Sequence, residues 1–212
     1  MSKLLVLLLT PPAALHAQTH TLAEPAREAL RTVHDTQDHL TFQIPATWSL
    51  ATRDRELSTF HQEARSAPIT SRLHYVAAIA ENPYPSSNFA GAHFYISVTP
   101  AQTADQCTAQ AIQPIKEEPH HYATKPIPPN TSIVSIGGHP ASHGHDESGS
   151  VCTEFRDEIY TVRQRNACLR FDLAMNNFCG GEVSGVREMT HDEILDIRTR
   201  LETILTSVHF DH

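Results

Sequence analysis

Three of the four cysteines fall between Val151 and Cys179, in VCTEFRDEIYTVRQRNACLRFDLAMNNFC. Apolar and polar residues alternate through both halves of this stretch, the period of a strand, so it is predicted to be one long two-stranded hairpin. Its turn decides what the cysteines can do. A two-residue turn at Arg165-Asn166 sets Val162 opposite Leu169, Tyr160 opposite Phe171 and Cys152 opposite Cys179. A three-residue turn, Gln164-Arg165-Asn166, is also sound chemistry; it sets Ile159 opposite Phe171 and turns Cys152 to the other face from Cys179. A bulge could mix the two registers. The two-residue turn is adopted as the expectation because it accounts for all four cysteines, as Cys152–Cys179 across the hairpin and Cys107–Cys168.

Whether those cysteines are oxidised depends on the compartment. Lys3 is followed by an unbroken apolar run, Leu4 to Leu9, then Thr10-Pro11-Pro12 and small residues up to Ala17. That is the layout of a secretory signal peptide, too short to span a bilayer, with cleavage expected after Ala17 and Ala14 as second choice. Residues 1–17 are thus predicted to be a signal peptide and 18–212 a single domain. The mature protein is expected to be periplasmic or extracellular, where disulfides persist. No later segment is apolar enough for a transmembrane anchor. The formal charge of −8, from 16 basic and 24 acidic residues, opposes nucleic acid as a ligand, because phosphate contacts need a basic surface.

Ala23 to Val33 is predicted to be a short amphipathic helix, with Pro25 at its start. Strands are expected at Leu40–Ile44, from Trp48, at Leu73–Ala80 and at Ala92–Val98, the last ended by Pro100. Asn82 to Asn88 is a loop by composition. A helix carrying Cys107 is expected from Thr103 or Ala104 to Ile112, then a proline-rich loop from Pro114 to Asn130. Ser132–Ile136, Gly137-Gly138 and His139–Ser142 form a strand, tight turn and return strand. Thr190 and Glu193 make a capping box for a final helix with an apolar stripe at Ile194, Ile197, Leu201, Leu205 and Val208.

Three short motifs in this order resemble the PsbP/Mog1-like domains. They are Phe42-x-Ile44-Pro45-Ala46-x-Trp48, the turn IGGHPA from Ile136 to Ala141, and the closing ILTSVHF from Ile204 to Phe210. The resemblance implies an α+β fold, a single antiparallel sheet with helices packed on it, including the C-terminal amphipathic helix. The group includes secreted domains and accessory subunits of larger assemblies and shares no single catalytic site. The implied role is a non-catalytic interaction domain whose partner is another envelope or extracellular protein, without a cofactor.

The residues offer other chemistries. His139, His143 and His145 stand at even steps, on one face if the segment is extended, and Asp146 and Glu147 follow. Imidazoles and carboxylates suit zinc or copper, so this run is the candidate metal site. His120-His121 is read as solvated. Glu154, Asp157 and Glu158 could form an acid–base pair, but an exposed ion-pair ladder across the hairpin, with Arg156, Arg170 and Asp172, is the simpler expectation. Ser148-Gly149-Ser150 and Ser184-Gly185 do not form a nucleophile elbow. Gly180-Gly181 is expected to turn the chain out of the hairpin.

Overall fold

The computed structural model describes residues 28–53, 57, 72–111, 132–150, 152–180 and 185–211. Ten strands, β1 (Leu30–Asp35), β2 (Leu40–Pro45), β3 (Ser49–Ala51), β4 (Arg72–Ala78), β5 (Phe89–Pro100), β6 (Ser132–Ile136), β7 (His139–Ser150), β8 (Thr153–Gln164), β9 (Ala167–Phe178) and β10 (His209–Phe210), carry most of the described chain. Two helices accompany them, α1 (Ala104–Gln110) and α2 (His191–Thr206).

These strands form two sheets rather than one. One has the order β1-β2-β10; the other has seven strands, β3-β4-β5-β9-β8-β7-β6. The expected α+β arrangement, a single sheet with helices packed on it, is therefore corrected to a mainly β fold. The difference begins at the N-terminal segment. Leu30 to Val33 is strand, because hydrogen bonding to β2, with Arg31 opposite Ile44 and Val33 opposite Phe42, outweighs a weak helical pattern. The rest of the Ala23–Val33 helix lies outside the described residues or, at Glu28 and Ala29, is irregular.

The central hairpin is β8–β9, turning at Arg165-Asn166. Val162 pairs with Leu169 and Tyr160 with Phe171, the register of a two-residue turn. Arg165 takes a positive φ of 54°, as such turns require. Cys152 is joined to Cys179 and Cys107 to Cys168, with Cα separations of 4.4 and 5.3 Å.

From Gly91 of β5 onward, and along β8, β9 and β7 up to Glu147, continuous register sorts the side chains onto one of two faces. Ala92, Phe94, Ile96, Val98, Leu169, Phe171 and Leu173 share one face. There they pack with Leu40, Phe42 and Ile44 of β2, with Trp48, and with Ile197, Leu201, Ile204 and Leu205 of α2. Each buried Val, Leu, Ile or Phe among them contributes roughly 1.5–3 kcal/mol of transfer free energy. Thr190 and Glu193 form the expected capping box, and Ser207 ends α2. Gly137 belongs here for a steric reason: a Cβ on it would stand 2.8 Å from Phe210, so the turn can close over β10 only without a side chain.

α1 packs on the opposite face, against β8 and β9, and is fixed there by the Cys107–Cys168 disulfide. The Arg170 guanidinium donates to the carbonyl of Gln110 at its end (3.0 Å). The proline-rich loop expected at 114–130, with His120-His121, lies outside the described residues.

Candidate functional site

Alternation along β7 puts His139, Ala141, His143 and His145 on the helix side of the large sheet, beside Glu158 and Tyr160 of β8. The three histidines share a face but not a site. His139 packs edge-on against Phe210, with ring centroids 4.9 Å apart. His143 stacks on Tyr160 at 4.3 Å, and its Nε2 lies 2.7 Å from Glu158 Oε2. His145 Nδ1 lies 3.2 Å from Glu158 Oε1. Arg198 reaches across from α2 to the same carboxylate oxygen, also at 3.2 Å.

Glu158 is the hub of this cluster. Burial would raise its pKa, but the bonds from His143 and His145 and the charge of Arg198 outweigh burial and hold it at about 2. His145 is shifted upward in turn, chiefly by its hydrogen bond to Glu158. Burial, with Glu158 nearby, pushes the Tyr160 hydroxyl up to about 12. The cluster is thus two imidazoles and a guanidinium gathered on one carboxylate, with Glu158 held in its charged form.

Two cavities open beside it. One of about 130 Å³ lies between α2 and the sheet, lined by His145, Glu158, Met175, Ile194 and Arg198 among others. The other, about 410 Å³, is bordered by Asn88, Glu154, Phe178, Glu188 and the Cys152–Cys179 bridge. Arg156 and Ile194 line both, so the two form one groove along the N-terminal half of α2. Phe178, which alternates to the other face of the sheet, is 47 % exposed, and Leu195, next to Ile194, is 43 % exposed.

The expected ion-pair ladder is corrected in part. Arg156 does bridge Glu147 (2.8 Å) and Glu154 (3.1 Å) on the helix side. Asp157, Arg170 and Asp172 are on the opposite face and are almost completely buried, at 0, 1 and 1 % exposure. Arg170 pairs with Asp172 at 2.6 Å. Burial, followed by the charge of Asp172, drives the Asp157 pKa well upward. The signal was present in the sequence: Asp157 falls in line with Phe155 and Ile159, and a charge on the apolar side of an alternating strand marks a buried polar group.

A second histidine cluster had no sequence expectation. His74 of β4 contacts Asp35, the last residue of β1, and its Nε2 lies 3.4 Å from Asp38 Oδ2 in the β1–β2 turn. Two turn carboxylates spaced Asp-x-x-Asp were legible; a histidine nearly forty residues away was not. Of the glycine-rich segment after the hairpin, 181–184 lies outside the described residues, as does the side-chain placement of Ser148 and Ser150.

No family model matches the chain, and a search of curated proteins finds no significant relative. Among solved structures, the solution structure of cyanobacterial PsbP (CyanoP) from Synechocystis sp. PCC 6803 is similar with a TM-score of 0.47 and 11 % identity. That match covers 85 % of this chain and 92 % of the other. LpqN, involved in cell envelope biogenesis of Mycobacterium tuberculosis, is similar with a TM-score of 0.35 and 11 % identity, over 87 % of this chain and 91 % of the other. At these TM-scores and identities neither likeness carries a family, a residue or an activity across to this chain.

Proposed function

We propose that the chain is an extracytoplasmic, non-catalytic accessory domain that binds another protein of the envelope or the extracellular space through the groove beside α2. The carrying observation is the groove itself. Its floor is apolar at Met175 and Ile194, and its rim is charged at Glu154, Arg156, Glu188 and Arg198. An apolar centre within a polar rim is the anatomy of a protein-binding surface. Two disulfides support an oxidising compartment. Among the described residues no helix is long and apolar enough to cross a membrane.

The test is site-directed photo-crosslinking in cells, with a benzophenone side chain at position 188, on the groove's rim. A discrete adduct from 188, weakened by Arg156→Glu and missing from a control site at exposed Arg163, is the expected result. Equal adducts from both sites, or none from 188, overturn the reading.

A second reading keeps the expectation of zinc or copper at the histidine run. It is favoured by the convergence of His143 and His145 on Glu158. Metal titration of the purified protein tests it, with loss of binding in the His143→Ala, His145→Ala variant as the expected outcome.

A further inference from the structure

From the β1–β2 turn and β4, we infer that Asp35, Asp38 and His74 form a site for a divalent transition ion of the zinc class, separate from the histidine run. One ligand atom from each of the three lies within 4.8 Å of the others. Asp35 and His74 are buried and Asp38 is half-buried. Tetrahedral ligands about 2.0–2.2 Å from zinc stand roughly 3.3 Å from one another. The separation of His74 Nε2 from Asp38 Oδ2, 3.4 Å, has that size.

The second observation is the state of Asp35. It is 3 % exposed, and its two oxygens are used differently. Oδ1 accepts from the backbone N–H groups of Gln37 (2.8 Å) and Asp38 (3.2 Å), which fixes the plane and aim of the carboxylate. Oδ2 is in direct contact with His74 Nε2. Backbone donors on the outer oxygen hold the inner one toward His74, which is how supporting hydrogen bonds orient a metal-binding carboxylate.

Donor chemistry sets the class. Two carboxylate oxygens alone would suit magnesium or calcium, which take oxygen ligands; an imidazole nitrogen shifts the preference to zinc and its neighbours. Three protein ligands leave one tetrahedral position for water. Asp35 and Asp38 belong to the three-stranded sheet and its turn, and His74 to the seven-stranded sheet, so the ion would clamp one sheet to the other.

The experiment is calorimetric titration of the chelator-treated, full-length protein with Zn²⁺. The His143→Ala, His145→Ala background is used, so that zinc at the run cannot be mistaken for this site. The expected result is one zinc per chain, an affinity lowered at least about tenfold by Asp38→Asn and by His74→Gln, and a Tm rise of about 5–10 °C at a hundredfold excess over Kd. Asp38 is the least buried of the three, so Asp38→Asn decides the matter if His74→Gln does not fold. No zinc binding in that background, or binding indifferent to Asp38→Asn, overturns the inference.

Discussion

Asp157 and Glu158 are adjacent in sequence and opposite in behaviour. Glu158 faces α2, meets two histidines and Arg198, and is held charged with a pKa of about 2. Asp157 faces the other way, is fully buried near Asp172, and its pKa is driven well upward by burial and by the charge of Asp172. A strand sends neighbouring side chains to opposite faces, so a single step along β8 moves a carboxyl from a cation-rich rim into an interior where Arg170 already serves Asp172. The identity of the side chain decided little; the face decided its charge.

The largest expected effect breaks the buried side of this comparison. Arg170→Met leaves Asp172 charged and uncompensated in the interior, and should cost about 3–5 kcal/mol in urea denaturation. Adding Asp172→Leu to it should recover much of that loss, since an apolar pair of similar volume needs no counter-charge. No recovery would show that the pair also supports packing that neither apolar residue replaces.

The next effect is one of pH. The Asp157 pKa is raised in the folded state, so the unfolded chain releases this proton near the ordinary carboxylate value while the folded chain keeps it. The stability it contributes is present at low pH and drains away as pH rises through the folded value. Asp157→Asn carries a permanent donor there and should remove that decline, leaving the variant at least as stable as the parent at neutral pH. A stability–pH curve unchanged by the substitution would show that Asp157 is not the protonated group.

Glu158 has the opposite sign. Its folded pKa lies at about 2, below the ordinary glutamate value of 4.5. The stability it contributes is therefore present above that ordinary value and is lost as pH falls toward about 2. Glu158→Gln should cost about 1–2 kcal/mol at neutral pH after solvent screening, and nothing in strong acid. Its histidine partner should respond as well, with the His145 pKa falling in an NMR titration. The smallest effect is expected at the rim: Arg198→Ala should cost about 0.5 kcal/mol in urea denaturation, because that cation is half in water.

How far these sites were legible follows the range of the interactions that build them. The capping box at Thr190 and Glu193 depends on residues close in sequence and is legible in them, whereas the β8–β9 register was one of two sound choices, preferred through the pairing of four cysteines that includes distant Cys107. The histidine run was visible because its members sit on one strand, yet its partition was not. His139 goes to Phe210 and His143 to Tyr160, and neither neighbour is set by the spacing of the run. Leu30 to Val33 misled for the same reason: its helical pattern is local, and β2 claimed it through nonlocal pairing. The groove beside α2 is likewise made by residues from separate segments of the chain, and no local pattern marks it.

The alternation of the hairpin and the capped helix with its apolar stripe follow from the residues alone; the turn at Arg165-Asn166 was one of two sound turns, preferred because it pairs all four cysteines. The alternation and the helix are consequences of backbone geometry over a few residues. Only the tertiary structure decided that there are two sheets, which face of β8 is wet, and that Asp35 and Asp38 meet His74. Burial and electrostatic environment are properties of what packs on a face. A short stretch of chain specifies its own faces and says nothing of what will cover them.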